Sequence, residues 1–285
     1  MRPLFYARNH TFPKYQRSIT LANFYLNDNS QTPISHLLSG QFAQSSHYHF
    51  HQHKVGQMSE NEGFSLRDFQ KKNAYDYENA FYWFSHPTRI NKLLAHYDLY
   101  QKILGLPGDI LELGVFKATS LIRLATFRNL LENDYSRKIV GFDAFGEFPR
   151  NELSLESDLK FIDHFETTAG SGLTKEEVTK LFELKNFGNI SLNKGNVFET
   201  IPTYLKENPA TRIAFLHLDM DVKEPTIFAL NALYDRVVPN GLIVFDDYNS
   251  VAGETDAVDE FLAQKKLSIQ KTHHYYIPAF IQKPI

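Results

Sequence analysis

Short apolar runs alternate with amphipathic stretches along the chain from about residue 105 onward. The runs are rich in β-branched and aromatic residues, which is typical of strands buried on both faces of a sheet. They predict strands over residues 109–113, 138–142, 190–193, 212–218 and 242–245. Apolar positions at helical spacing predict helices over residues 118–131, 155–168, 174–184, 197–206, 225–237 and 254–264. With a closing hairpin over 267–272 and 275–282, these units predict an α/β fold with a doubly wound, mostly parallel sheet.

The chain before these units divides into two parts. Residues 73–104 carry two helical patterns, with Ser85 as the expected cap of the second helix and Pro87 in its first turn. Residues 1–72 are rich in Ser, Asn, Gln and His without steady periodicity, so we expect a loosely ordered or partner-dependent extension. The predicted organisation is therefore an extension over 1–72, a helical cover over 73–104 and a main domain over 105–285. The residues expected to line a site beneath the cover are Tyr82, Trp83, His86 and Arg89.

Four histidines alternate with other residues in the extension, within the stretch SSHYHFHQH. On an extended strand the side chains of His47, His49, His51 and His53 would share one face, where they could bind a transition metal. We favour the simpler interpretation of a polar, weakly ordered histidine tract.

Carboxylates follow two of the predicted strands, in RIAFLHLDMDV and GLIVFDDY. Ligands of open α/β sheets bind at the carboxyl ends of the strands, and acids crowded there raise one another's pKa. A hard divalent cation such as Mg²⁺ removes that repulsion, so the pattern predicts a metal site. Helix caps or solvated loop residues are the alternative for any single acid. The four acids are Asp219, Asp221, Asp246 and Asp247.

The earlier strands end in residues suited to a nucleoside. Glu112 and Gly114 lie at the first turn, where a single glycine fails to match the glycine-rich dinucleotide fingerprint, so a ligand without phosphates fits better. Asp143, after the second strand, is placed to accept hydrogen bonds from two ribose hydroxyls. Asn196, after the third strand, offers an amide to an adenine edge. Each of these residues taken alone could equally be a cap or turn residue.

Composition narrows the class of partner. The chain has 285 residues, a formal net charge of -3 and no cysteine, which argues against nucleic-acid binding, disulfides and thiolate metal sites. No apolar run reaches the roughly 20 residues that span a bilayer, and the first residues lack an apolar signal region. We therefore expect a cytoplasmic protein with a small-molecule partner, no nucleic acid and no membrane; a homo-oligomer is left open.

Taken in order, several stretches resemble the macrocin O-methyltransferase family of class I S-adenosylmethionine-dependent enzymes, whose members include deoxysugar O-methyltransferases. The stretches are GDILELGVFKATS, GFDAFGEFP, LHLDMDVKEPT, VVPNGLIVFDDY and GETDAVDEF. The resemblance covers residues 73–285 and leaves the first seventy or so outside. It implies a seven-stranded methyltransferase sheet over 105–285, S-adenosylmethionine as methyl donor, a magnesium ion and a sugar-bearing acceptor.

Carried over to this sequence, the resemblance assigns roles to individual residues. The donor-binding residues would be Glu112, Gly114, Asp143 and Asn196. Apart from the resemblance, Arg89 of the predicted helical cover could pair with the donor's carboxylate. The metal and base cluster would be Asp219, Asp221, Asp246 and Asp247, and within it we interpret Asp219, Asp246 and Asp247 as the metal ligands. Asp221 would be a fourth ligand or the base, and His217 is a second base candidate, although a histidine within a strand is more often structural. The sequence departs from the family pattern at Lys223, where tyrosine is usual, and at Asn196, where the pattern has an acid.

The expected chemistry is methylation of a sugar hydroxyl, which must be activated because it is protonated at neutral pH. A magnesium ion would orient the hydroxyl and lower its pKa while a carboxylate takes the proton. A nicotinamide-dependent sugar oxidoreductase or epimerase shares the layered fold but predicts glycine-rich phosphate recognition. A noncatalytic nucleoside-binding protein would keep Asp143 but has no need of clustered acids.

Overall fold

The computed structural model describes residues 63–285. Most of the predicted extension over 1–72, including the histidine tract at His47 to His53, lies outside the described residues. The described part opens with a small antiparallel pair, β1 (Ser65–Leu66) and β2 (Phe69–Gln70), followed by a turn of 3₁₀ helix at Lys71–Asn73.

Two helices precede the sheet, as predicted: α1 (Ala74–Phe84) and α2 (Thr88–Gln101). The prediction that Ser85 caps the second helix is wrong. Pro87 is the N-cap of α2, while Ser85 is extended and donates its N–H to the Phe81 carbonyl at the end of α1. Pro87 is already in the α region, with a φ of -53°, so the helical conformation begins there without a side-chain cap.

The prediction of a doubly wound, mostly parallel seven-stranded sheet is confirmed. Its strands are β3 (Asp109–Leu113), β4 (Ile139–Asp143), β5 (Ile190–Lys194), β6 (Ile213–Leu218), β7 (Val237–Phe245), β8 (Gln270–Lys271) and β9 (Ala279–Gln282). The spatial order is β5, β4, β3, β6, β7, β9, β8. The five strands from β3 to β7 run parallel, and β9 lies antiparallel between β7 and β8. The closing hairpin is thus present, with shorter strands than predicted.

The last parallel strand starts five residues before the predicted start at 242. Its first part contains Pro239 and Asn240, which are typical of turns, and Asn240 has a φ of +63°. The pairing register of β7 with β6 shifts there, so the strand continues through an irregularity instead of beginning after it.

Six helices cover the sheet: α3 (Thr119–Leu131), α4 (Glu156–Ala169), α5 (Lys175–Leu184), α6 (Val197–Glu207), α7 (Lys223–Leu233) and α8 (Ala252–Lys265). Thr174 and Glu177 form the predicted capping box at the start of α5. Apolar side chains of β6 are buried along its whole length, because helices pack on both faces of the sheet and form two separate hydrophobic clusters.

Backbone hydrogen bonds continue past the carboxyl ends of three neighbouring strands. Gly114 donates to Phe142 O at 2.9 Å, Asp219 to Leu113 O at 2.8 Å, and Asp246 to Leu218 O at 2.9 Å. The residues after β3, β6 and β7 therefore lie side by side at one edge of the sheet. Between residues 63 and 285, no helix combines the length and the apolar character needed to cross a bilayer.

Candidate active site

A cavity of about 740 Å³ opens at this edge of the sheet. Eight of the predicted site residues line it: Arg89, Gly114, Asp143, Asn196, Asp219, Asp221, Asp246 and Asp247. Glu112 and His217 do not line it, and neither do Tyr82, Trp83 and His86 of the predicted cover. Tyr82 and Trp83 are 61% and 70% exposed, because α1 presents them to solvent, so their expected role in lining the site is wrong.

Gly114 connects the two ends of the cavity. Its φ is +92°, and a Cβ at this position would lie 1.8 Å from the carbonyl oxygen of Asp219. No L side chain fits at that distance, so the turn after β3 can pass this close to the end of β6 only with a glycine.

Asp143 and Asn196 lie on the side of the cavity formed by β4 and β5. Oδ2 of Asp143 accepts hydrogen bonds from the backbone of Val115 at 2.7 Å and Phe116 at 3.0 Å, so this carboxylate fixes the turn after β3. Asn196 caps α6 through a bond from Phe198 N, and its Nδ2 donates to Glu152 at 2.8 Å. Both residues thus face the cavity while also holding its walls, and their donor-binding roles stay predictions.

An acidic cluster, defined as Asp219, Asp221, Asp246 and Asp247, forms the other side. Asp219, Asp246 and Asp247 each offer a carboxylate oxygen within 4.8 Å of the others. Burial, followed by the charges of neighbouring members, raises the pKa of Asp219, Asp221 and Asp247. Among the described residues, the four carboxyl groups of the cluster thus outnumber the positively charged side chains that contact them.

Glu254 of α8 is hydrogen-bonded to the backbone of two members of the acidic cluster. Its Oε1 accepts the N–H of Asp247 at 3.0 Å, and its own N–H donates to the Asp221 carbonyl at 3.0 Å. Asp221 has a φ of +65°, a conformation that needs such support in a residue other than glycine. Burial and the charge of Asp247 raise the pKa of the fully buried Glu254 carboxyl. The GET stretch of α8 therefore fixes the two loops that carry acids.

Two residues of α2 reach the cluster, and the sequence analysis missed both. The ammonium group of Lys92 contacts Asp246. His96 Nε2 lies 3.6 Å from Asp246 Oδ1, and burial lowers the pKa of His96 to about 4. Arg89, Lys92 and His96 recur at helical spacing, so a polar stripe along an otherwise apolar pattern was the available signal.

Glu112 and His217 form a buried group behind the cavity. They are directly paired in neighbouring strands, and His217 Nδ1 lies 3.2 Å from Glu112 Oε2. Ser120 donates to the other oxygen of Glu112 at 3.0 Å. Nε2 of His217 lies 3.4 Å from Asp246 Oδ1. Burial lowers the pKa of His217, but the carboxylates of Asp246 and Glu112 outweigh it and raise that pKa to about 9.

This arrangement suits His217 to orienting Asp246, because a fully buried ring cannot reach an acceptor in the cavity. The carboxylate of Glu112 is likewise bound by Ser120 and His217, so its contacts in this structure are with the protein and not with a methyl donor. Both predicted roles remain without a supporting contact in the described residues.

The acidic cluster fits a hard divalent cation. Carboxylate oxygens are the ligands that Mg²⁺ prefers. Oδ1 of Asp246 faces His217 Nε2 at 3.4 Å and His96 Nε2 at 3.6 Å, so the oxygen of Asp246 that is left for a cation is Oδ2, beside Lys92. Burial raises the pKa of Asp219 well above its usual range, and a cation there would reverse that shift.

A sequence model described as Macrocin-O-methyltransferase (TylF) matches residues 21–280. The chain belongs to this family. The match begins at residue 21, so the expectation that the first seventy residues lie outside the resemblance is wrong. The first turn carries the single glycine Gly114, so the glycine-rich phosphate recognition that the nicotinamide-dependent alternative predicts is absent there.

Two curated proteins are similar over part of their length. One is 26% identical over 172 residues and is the 8-demethyl-8-(2,3-dimethoxy-alpha-L-rhamnosyl)-tetracenomycin-C 4′-O-methyltransferase of Streptomyces olivaceus, matched over 58% of this chain and 61% of that protein. The other is 29% identical over 166 residues and is the demethyldecarbamoylnovobiocin O-methyltransferase of Streptomyces niveus, matched over 56% and 60%. The chain therefore spans about three fifths of these relatives.

Solved structures agree on the fold. A calicheamicin methyltransferase is 26% identical with a TM-score of 0.55, over 73% of this chain and 85% of that chain. The O-methyltransferase NovP is 24% identical with a TM-score of 0.60, over 69% and 81%, and shows the fold alone.

Proposed function

We propose that this protein transfers a methyl group from S-adenosylmethionine to a hydroxyl of a deoxysugar, either nucleotide-linked or attached to a glycosylated product, with assistance from Mg²⁺. One observation carries the proposal. A single cavity joins nucleoside-type residues at the ends of β3, β4 and β5 to the acidic cluster at the ends of β6 and β7. Donor and acceptor would thus meet within one cavity.

At the donor end, Gly114, Asp143 and Asn196 would hold S-adenosylmethionine, which supplies an electrophilic methyl group on its sulfonium. Asp143 would accept a hydrogen bond from a ribose hydroxyl at Oδ1, since Val115 and Phe116 use the two lone pairs of Oδ2 and Phe145 N–H uses one of Oδ1. Asn196 would present its remaining amide hydrogen to the adenine edge. Arg89 lines the same cavity and would bind the donor's carboxylate.

At the acceptor end, Asp219, Asp246 and Asp247 would hold Mg²⁺, which supplies a positive charge that lowers the pKa of a bound hydroxyl. Lys92 neutralises part of the cluster and steadies Asp246. His217 fixes the orientation of Asp246 from behind.

Asp221 is the proposed base. It lines the cavity, and burial followed by the charge of Asp247 raises its pKa. A raised pKa makes a carboxylate a stronger proton acceptor, provided it is ionised when the acceptor binds. Asp221 would take the hydroxyl proton as the acceptor oxygen attacks the methyl group; the bond from that methyl group to sulfur would break, and S-adenosylhomocysteine would leave. Holding the two reactants at near-attack distance would contribute about 7–11 kcal/mol.

We propose that the segment 73–104 forms one side wall of this cavity instead of the predicted cover over it. Arg89 and Lys92 of α2 line it, while Tyr82, Trp83 and Phe84 at the end of α1 are exposed to solvent. The wider setting belongs to the same proposal: a small-molecule sugar acceptor, no nucleic-acid partner, a cytoplasmic location, and a homo-oligomeric state left open.

The deciding assay is a panel of deoxysugar nucleotides and glycosylated products incubated with S-adenosylmethionine and Mg²⁺, with mass-spectrometric detection of an added methyl group. Asp221→Asn and Asp247→Asn should each reduce turnover by several orders of magnitude. Asp256→Asn changes an exposed acid of α8 and is the matched control, expected to act like the wild type. Absence of methyl transfer to every sugar, in protein shown by calorimetry to bind the donor, would contradict the acceptor class. Absence of donor binding would contradict the enzyme class.

A further inference from the structure

A second group of potential metal ligands lies outside the cavity lining. Asp98 of α2 faces His273 and His274, which lie in the connection between β8 and β9. Oδ2 of Asp98 is 3.6 Å from His273 Nδ1 and 3.0 Å from His274 Nε2. All three ligand atoms are within 4.8 Å of one another. Two imidazoles thus converge on one carboxylate oxygen.

Two of these three separations lie close to those around a tetrahedral ion. Zinc bonds of about 2.0–2.2 Å to nitrogen and oxygen place neighbouring ligand atoms roughly 3.3–3.5 Å apart. The two observed nitrogen to oxygen distances of 3.6 and 3.0 Å lie on either side of that value. The two rings also lie close together, with centroids 3.9 Å apart. Small side-chain movements would bring the three atoms to bonding distance.

The donor set distinguishes this group from the acidic cluster. Two imidazoles with one carboxylate suit a borderline transition metal such as Zn²⁺, whereas carboxylates alone suit Mg²⁺. The side chains of Asp98 and His274 are 29% and 23% exposed, while that of His273 is 79% exposed. Two ligands are therefore sheltered, and the third side of the site is open for water or exchange of the ion.

We propose that Asp98, His273 and His274 bind a divalent transition metal of the zinc class, with water completing the coordination. The site would tie α2 to the segment that leads into β9. Because α2 also carries Arg89 and Lys92 at the cavity, the ion would steady one cavity wall from its far end. The proposal is independent of the methyl-transfer reaction, since none of its ligands lines the cavity.

The test is a titration of the full-length, metal-free protein with Zn²⁺, in Mg²⁺-containing buffer, followed by calorimetry. Because the acidic cluster and the histidine tract also offer ligands, the readout is the number of Zn²⁺ equivalents compared between variants. His274→Ala should bind one equivalent fewer than the wild type. His273→Ala, at the most exposed position, should keep the fold and weaken that equivalent by at least roughly tenfold. Zn²⁺ should also raise the melting temperature of the wild type more than that of either variant.

His164→Ala is the matched control, since His164 is an exposed histidine of α4. It should bind the same number of equivalents as the wild type. Unchanged stoichiometry and affinity in both His273→Ala and His274→Ala would overturn the proposal and leave Asp98 as a simple hydrogen-bonding partner of the two rings.

Discussion

Replacing Gly114 with alanine tests the link between the two ends of the cavity. The new Cβ would lie 1.8 Å from the Asp219 carbonyl oxygen, and real Cβ atoms essentially never approach another atom within 3.0 Å. The backbone must therefore separate by at least 3.0 − 1.8 = 1.2 Å. The atoms that the new Cβ meets belong to the backbone of Asp219, so they cannot move aside as the end of a flexible side chain would.

Two costs add in this variant. A non-glycine residue at a φ of +92° costs about 1–3 kcal/mol, and overpacking costs about another 1–3 kcal/mol. At roughly 2–4 °C per kcal/mol for a chain of this size, the melting temperature should fall by about 5–20 °C. A displacement of this order at reacting groups costs about 100-fold in rate, so turnover should fall at least that far in the protein that remains folded.

The assays are thermal unfolding, calorimetric titration with S-adenosylmethionine, and turnover measured well below the melting temperature. Gly146→Ala is the control, because Gly146 also lines the cavity but a Cβ there would meet nothing closer than 3.8 Å. It should resemble the wild type in all three assays. If Gly114→Ala matched the wild type in stability and turnover, the close approach of Gly114 to Asp219 would have no functional consequence.

Four further outcomes are expected. Chelation of divalent ions should abolish turnover but leave S-adenosylmethionine affinity nearly unchanged, and full turnover in chelator would remove the metal from the mechanism. Asp143→Ala should weaken donor binding by about 1–3 kcal/mol in a calorimetric titration, and unchanged affinity would contradict the ribose contact. Arg128→Met should lower the free energy of unfolding by about 3–5 kcal/mol, because the buried guanidinium donates to the carbonyls of Arg137 and Asn189. Denaturant titration measures this loss. A loss below about 1 kcal/mol, which is the most that an exposed ion pair usually contributes, would show that these hydrogen bonds contribute little to stability. Burial raises the pKa of Asp158 above its ordinary value of 3.8, so between these two pKa values the folded state binds more protons than the unfolded state, and the ionised carboxylate destabilises the fold at higher pH. Asp158→Asn should therefore raise the melting temperature at neutral pH, and this gain should vanish below pH 3.8. A gain that does not change with pH would refute the explanation by burial of the carboxylate.

The sheet was predictable because its strands are buried on both faces and stand out as short apolar runs. The strand at Asp109–Leu113 has the predicted bounds. Parallel topology then places all carboxyl ends at one edge, so the meeting of Asp219 with Asp246 followed from the order of strands alone. The start of β7 was missed because Pro239 and Asn240 resemble a turn, and only pairing with β6 carries the strand through them.

The facing of individual side chains was harder to predict. Glu112 and His217 belong to strands whose ends line the cavity, yet His217 faces His96 of α2 and Glu112 contacts Ser120 of α3. Strand alternation shows that they share a face but not which face a distant helix will cover. The contacts of Lys92 and Asp98 are equally invisible locally, since their partners lie more than 150 residues along the chain.

The buried group of Glu112, His217 and Asp246 has an evolutionary consequence. Buried ionisable groups are stabilised mainly by their partners, and a protein that carries apolar side chains of similar volume in their place often has a higher free energy of unfolding. A copy of this protein released from selection for activity would thus be expected to exchange these residues for apolar ones and become harder to unfold. If the proposed function holds, retention of all three is expected in homologues that keep the activity, and their joint loss in homologues that keep the fold alone.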